Sequence, residues 1–287
     1  MNNPQRFLYR YYGKEEYILD VLINKRLYHC QPSEFNDPFD CRPLISIRAS
    51  RGNDENIWRK FLYYYYVKMY EQVNKAGKPE SELMKEADRA FATGRHKDQS
   101  WLNEFIVNGL KSLGALIRVC CFAKFPRNMM MWAHYAENHR GLAFIFHSSQ
   151  LRDKSSGEFR GQVVEYNSEP LGIERFVHAL ERVFDHGDVW PVANIIYAKK
   201  TKHWVGEDEI RFFSMRDRPY LQFNEPALYG IIFGAKSSEF LIQKVRGALD
   251  HWRIKPGLFK ASIEKSTHKL WIEKYKDTQQ KNPAHAE

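Results

Sequence analysis

Downstream of Gly114 the chain is a succession of short segments rich in β-branched and aromatic residues: ALIRVCCFA at 115–123, GLAFIF at 141–146, GQVVEY at 161–166, EIRFF at 209–213, YLQF at 220–223 and LYGIIFG at 228–234. Such segments fit a pleated surface and need neighbouring strands to satisfy their backbone groups. One amphipathic helix interrupts them, at about Ile173–Val183, and a second, Ser237–Trp252, precedes final strands at GLFKAS and HKLWIE. This pattern predicts an α+β fold built on a mixed, mostly antiparallel sheet.

The N-terminal part adds an aromatic strand, FLYRYY, closed by Gly13. A helix follows from Lys14 to Asn24, with Tyr17, Ile18, Val21 and Leu22 at helical spacing and Glu15 and Glu16 where they suit the helix dipole. LYHC at 27–30 reads as a second strand leading into the loop QPSEFNDPFD. Residues 51–113 then read as a helical insertion. Asn53 or Asp54 caps a helix carrying Ile57, Phe61, Leu62, Tyr65 and Met69, and further helices are predicted at Ser81–Ala92 and Ser100–Leu113. The tyrosines at 63–66 form a half-buried face. The organisation expected is one α+β domain over residues 1–276 and a polar tail over 277–287.

MNNPQRFLYRYY lacks the apolar core of a signal peptide, and no stretch approaches the roughly 20 apolar residues that span a bilayer. The expectation is a cytoplasmic chain with no membrane partner. Cys30, Cys41, Cys120 and Cys121 lack metal-ligand spacing and read as reduced thiols; no metal is expected. Lys plus Arg exceed Asp plus Glu by nine (44 against 35), which favours an anionic partner such as a nucleotide, RNA or DNA.

Three clusters carry chemistry. FNDPFD at 35–40 crowds Asn36, Asp37 and Asp40 into a turn stiffened by Pro38: either a rigid connector, or polar groups held at a cleft mouth. NMMMWAHYAENHRG at 128–141 places Trp132, His134, Tyr135 and His139 within about two helical turns. The two histidines are five apart, which is wrong for one helical face and ranks a zinc site low, whereas Trp132 and Tyr135 can share a face as core packing or as a wall for a planar ring. In KHWVGEDEIRFF at 202–213, Glu207 and Glu209 point to one face if the segment is a strand, beside Arg211 and nearby lysines. Such a pair suits acid/base work, metal binding or stabilisation of a cationic transition state, or is a solvated edge with ion pairs. Ser238 opens a helix after IIFG, a weak signal for phosphate.

In their order, LYRYY at 8–12, LYHCQPSEFNDPFD at 27–40, CCFAKFPRNMMMWAHYAENHRGLAFIF at 120–146, VVEY at 163–166, KHWVGEDEIRF at 202–212 and IIFG at 231–234 resemble a bacterial family known as domain of unknown function two-nine-seven-one. The order of elements is also similar to that of bacterial ADP-ribosyltransferases, which implies NAD as substrate. Carried over, that resemblance gives Arg10 or Tyr9 the early NAD-holding position and Glu209 the late ribose-binding one. Glu207 would orient or deprotonate an acceptor, Trp132, His134 and Tyr135 would line the pocket, and Asn36, Asp37 and Asp40 would complete it. No Ser-Thr-Ser strand precedes the acidic pair, so the ring-stacking residue has no counterpart. Two other classes remain open: a metal-dependent nuclease or phosphodiesterase using Asp37, Asp40, Glu207 and Glu209, and a non-catalytic nucleic-acid- or protein-binding module, with phage defence among the roles compatible with either.

Overall fold

The computed structural model describes residues 5–42, 45–47, 55–69, 79–104, 106, 117–151, 160–188, 190–215 and 219–276. The expected caps at Asn53 and Asp54, the later part of the predicted 100–113 helix and the 277–287 tail lie outside these residues.

An eight-stranded sheet organises the molecule, in the order β14-β13-β12-β5-β1-β4-β10-β6. Its strands are β1 (Phe7–Tyr12), β4 (Ile117–Ala123), β5 (Leu142–His147), β6 (Arg160–Val163), β10 (Glu209–Met215), β12 (Leu228–Phe233), β13 (Gly257–Glu264) and β14 (Lys269–Lys274). Every neighbouring pair is antiparallel except β12 with β13. The α+β reading is correct. Short pairs flank the sheet: β2 (Arg26–Tyr28) with β11 (Tyr220–Gln222), β3 (Ile45–Ser46) with β8 (Leu171–Gly172), and β7 (Glu165–Tyr166) with β9 (Lys199–Lys200).

Alternation along the strands divides the core into two faces. Cys120, Phe122, Ile210 and Phe212 pack under α1 (Glu15–Asn24) and, through Leu241, Ile242 and Val245, under α7 (Glu239–Ala248). The Ser238 side chain caps α7 by accepting from the Leu241 amide at 3.2 Å. Ile117, Val119 and Phe213 face the other way, onto α2 (Glu55–Tyr63), α3 (Glu80–Ala92), α5 (Ile173–His186) and α6 (Trp190–Tyr197). Trp58, Phe61, Ala87 and Ala90 of the presumed insertion are thus part of this core. α6 buries Trp190, Ala193 and Tyr197 at helical spacing, with Pro191 in its first turn, where the missing N–H is harmless, and the Trp190 amide donating to Asp188 at 3.2 Å.

Two features position the site. First, β1 pairs with β5 along its whole length, from Phe7–His147 to Tyr12–Leu142, but meets β4 only at Tyr9–Ala123. The sheet therefore parts between β1 and β4, and the edge so exposed is met further along by Cys30, which exchanges backbone hydrogen bonds of 3.1 and 2.9 Å with Val119. Second, 128–141 is not one helix. α4 (Met129–His134) is capped by the Asn128 side chain, and Glu137, Asn138 and His139 then take left-handed φ values of 49°, 51° and 70°. The chain returns to β5 through Gly141, where a Cβ would meet the Tyr12 carbonyl oxygen at 2.0 Å, so only glycine fits.

Candidate active-site cleft

Beyond Tyr9 the parted strands leave a cavity of about 210 Å³ lined by Tyr9, Arg10 and Tyr12 of β1, Cys121 of β4, Asn36 of the FNDPFD loop and Tyr135 just after α4, with Lys200, Glu207 and Glu209 on one wall. FNDPFD and GEDEIR thus meet in one place. Six residues named from sequence line the cavity together: Tyr9, Arg10, Asn36, Tyr135, Glu207 and Glu209.

The acidic wall is built differently from the sequence expectation. Glu207 is not in a strand; it ends a 3₁₀ turn, Lys202–Glu207, and Asp208 follows with φ 48° before β10 begins at Glu209. That left-handed residue turns the half-buried Asp208 outward, toward Lys124 at 3.8 Å, while both neighbouring glutamates are buried, 2% and 5% exposed. The expected outcome, two carboxylates on one side, is reached by a kink rather than by strand alternation.

Arg211, with no exposed surface, organises these carboxylates. Its guanidinium donates to both oxygens of Asp40 at 2.7 Å, to Glu209 Oε1 and Oε2 at 3.0 and 2.9 Å, and to the Tyr197 carbonyl at 2.8 Å. All five N–H groups are used, as a buried guanidinium requires. Lys200, also buried, donates to Glu207 Oε2 at 2.6 Å and lies 3.4 and 3.6 Å from Asp40 and Glu209. The Tyr135 hydroxyl donates to Glu207 Oε1 at 2.7 Å, and the Glu209 amide donates to the Tyr166 hydroxyl at 2.8 Å. Three carboxylates thus face two cations.

Burial raises the pKa of Glu209, but the charge and hydrogen bonds of Arg211, helped by Lys200, outweigh it and hold the carboxyl below its ordinary value; the same competition holds Asp40 low. Burial also pushes the Tyr135 phenol up, and the Glu207 charge adds to this. Depressed carboxyl values stabilise the fold in full above the ordinary values of 4.5 for Glu209 and 3.8 for Asp40, and that stability is lost as pH falls through the lower folded-state values. The urea midpoint is therefore expected to hold from neutrality to about pH 5 and to drop by about pH 3. An equal midpoint at both acidic values contradicts this.

The other residues named from sequence lie elsewhere. Trp132 is fully buried, its indole N–H donating to the Pro126 carbonyl at 2.8 Å and its ring stacked 5.9 Å from His139. It packs and does not line the cleft. His134 is exposed on α4, 6.5 Å from the Tyr135 ring and outside the lining. Asp37 shapes its own turn by accepting from the Phe39 amide at 2.9 Å, and Asp40 sits one layer behind the wall, on Arg211. Lys200 and Tyr166 escaped the sequence reading: nothing in KK or VVEY distinguishes a buried lysine or tyrosine from an exposed one. Arg211 was noted only as a neighbour.

Arg10, also in the lining, donates to the Tyr28 carbonyl at 2.8 Å and contacts Cys120 Sγ, and its guanidinium lies over the rings of Tyr12 and Phe122. Among the described residues it has no carboxylate partner. The Tyr12 hydroxyl beside it is buried and makes no hydrogen bond of good geometry. Burial raises the pKa of all three cleft-region thiols, of Cys30 to about 11 and of Cys120 to about 12, and of Cys121 likewise, which leaves them unreactive as nucleophiles. Among the described residues no helix is long and apolar enough to cross a membrane.

No curated protein and no solved structure matches the chain. Residues 131–212, which carry the MWAHYA and GEDEIR motifs and with them Tyr135, Lys200, Glu207, Glu209 and Arg211, match the model of the family described as Protein of unknown function (DUF2971), the family its motifs resemble.

Proposed function

We propose that the chain is an ADP-ribosyltransferase-like enzyme that uses NAD in this cleft and transfers ADP-ribose to a macromolecular acceptor. The observation that carries the reading is the presence in the lining of one small cavity of Arg10, a guanidinium with no carboxylate partner among the described residues, and of Glu209, a carboxylate held fixed and ionised by Arg211. A dinucleotide substrate needs both: a cation for its pyrophosphate, and negative charge where the ribose becomes positive. At about 210 Å³ the cavity suits one ring and its sugar rather than the whole molecule, since pockets that enclose drug-sized ligands run from roughly 300 Å³.

In this reading the C–N bond between ribose and nicotinamide breaks, and its electron pair leaves with the nicotinamide. The positive charge left on the sugar is met by Glu209, whose position is locked by Arg211, so no reorganisation is needed when the charge develops. An acceptor oxygen or nitrogen then bonds to the sugar carbon and releases its proton to water, with Glu207, on its hydrogen bonds from Tyr135 and Lys200, orienting it. Tyr9 and Tyr135 supply the aromatic surface that Trp132 does not.

The nuclease reading is less favoured by the donor geometry. Among the described residues no three His, Cys, Asp or Glu side chains converge as a metal site. The carboxylates it needs, Asp40, Glu207 and Glu209, converge on Lys200 and Arg211 instead, and Asp37 is engaged in its turn.

The test is incubation of the protein with NAD labelled in its adenylate, with cellular RNA, DNA or protein, followed by separation of products. Nicotinamide release accompanied by label on one acceptor class is the expected result. NAD left intact in every mixture, with nucleic acid cleaved on addition of Mg²⁺, overturns the reading in favour of the nuclease; NAD left intact with salt-sensitive binding alone favours the binding module.

A further inference from the structure

Behind the acidic wall lies a second, larger cavity of about 380 Å³, between the end of the FNDPFD loop, residues 103 and 106, α6, β9 and the turn at 167–169. Lys200 lines both cavities, so the two sites stand back to back with the ion network as their partition. The loop that closes the cleft also shapes this second site. Asp37 turns the backbone so that the Asp40 side chain points inward to Arg211, while Phe39 points outward and is 70% exposed, the most exposed large apolar side chain among the described residues. Phe39 stands at the cavity rim.

Two cations accompany it. Arg42 is exposed and has no hydrogen bond or ion pair among the described residues. Lys199 donates to the Glu169 backbone carbonyl at 2.7 Å, and its partial burial lowers its pKa. Lys200 is already engaged by Glu207, Asp40 and Glu209, and Glu169 is the one carboxylate in the lining. Asn103 adds an amide N–H2, its oxygen accepting from Gln99 at 2.8 Å, whereas Asn167 is engaged in its own turn, accepting from the Glu169 amide at 2.8 Å. A ring free to stack, a guanidinium with no partner among the described residues to take a phosphate, and the Asn103 N–H2 to meet a base edge are recognition elements for a nucleotide, and the volume falls in the range of ligand pockets.

We infer that this second cavity is a nucleotide subsite in which a base stacks on Phe39 and its phosphate is held by Arg42 and Lys199. As the acceptor side of a transferase it rests on the reading of the cleft above; as a nucleotide-binding site it does not. The geometry then makes nucleic acid the acceptor class.

The test is fluorescence anisotropy of a labelled single-stranded RNA or DNA of about eight nucleotides on the full chain, with AMP as competitor. R42A and F39A, both at exposed positions, are each expected to weaken binding about tenfold with unchanged circular dichroism. K265A, in the β13–β14 turn at the opposite edge of the sheet, should bind as the parent does. Competition by AMP identifies a free nucleotide as a sufficient ligand; a strand that AMP does not displace requires the polymer, and either agrees with the subsite. Absence of binding, or equal affinity of parent, R42A and F39A, or an equal loss in K265A, overturns it. If NAD is not consumed yet binding depends on Arg42 and Phe39, the transferase reading falls and the subsite stands. If NAD is consumed and neither variant alters binding, the reverse holds.

Discussion

Replacing Arg211 with methionine is expected to remove about 3–5 kcal/mol of folding stability, the range for removing one partner from a buried charge pair. Asp40 and Glu209 would be left with Lys200, at 3.4 and 3.6 Å, as their one cation, and both carboxylates lie in a low-dielectric interior where a stranded charge is costly. The two carboxyls should then protonate at higher pH, so the loss grows toward neutrality and shrinks in acid. Denaturant unfolding followed by circular dichroism reads the change as a shift in midpoint at unchanged slope. Adding Asp40→Asn to Arg211→Met removes one of the stranded charges and is expected to return at least about 1 kcal/mol, as coupled neighbours do. Arg211→Lys should recover little, because one ammonium cannot meet the five-donor geometry that links Asp40, Glu209 and the Tyr197 carbonyl. A midpoint for R211M equal to that of the parent would show that the network contributes no net stability and that its purpose is confined to the site.

That the site could be partly read from sequence, and only partly, has physical reasons. Strand residues announce themselves through β-branched and aromatic runs, and α1 and α7 through apolar periodicity with acidic first turns and, for α7, a serine cap; those signals are local, and each agrees with the structure. The cleft is not local. It exists because β1 keeps its register with β5 and departs from β4 after Tyr9, a choice of partner that no run of residues encodes. The same holds for Lys200 and Arg211, whose burial depends on carboxylates up to 171 residues away in the chain. FNDPFD was legible as a rigid turn and as a source of carboxylates, but not as a divider that sends Asp40 inward to Arg211, behind the cleft wall, and Phe39 out to the rim of the second cavity. Trp132, at helical spacing from Tyr135, read as core packing or, by the resemblance, as part of a pocket wall; the short α4 and the left-handed turn after it send the indole into the core. The helical region at 51–113 read as an insertion because it carries no motif; within it, Trp58 and Phe61 pack into the core against Phe176 of α5.

Glu209→Gln is expected to lower nicotinamide release from NAD by at least about a hundredfold, the scale on which removing one preorganised electrostatic group slows an enzyme. The substitution is nearly isosteric. One Gln oxygen can still accept from Arg211, Asp40 keeps its paired hydrogen bonds, and the network changes from three carboxylates against two cations to two against two, so the stability cost should stay within about 1–3 kcal/mol. Loss of turnover in a folded protein therefore reports charge at the sugar, not collapse of the cleft. Asp208→Asn is the control on the same segment: that side chain points out toward Lys124, and asparagine tolerates its left-handed backbone, so turnover should be unchanged. Glu207→Gln separates the two carboxylates. If Glu207 orients the acceptor, its loss slows transfer to the acceptor more than it slows NAD hydrolysis, whereas Glu209→Gln slows both alike. Equal turnover by the parent and E209Q would remove Glu209 from the chemistry and leave Arg211 and its carboxylates as structural supports of a binding cleft.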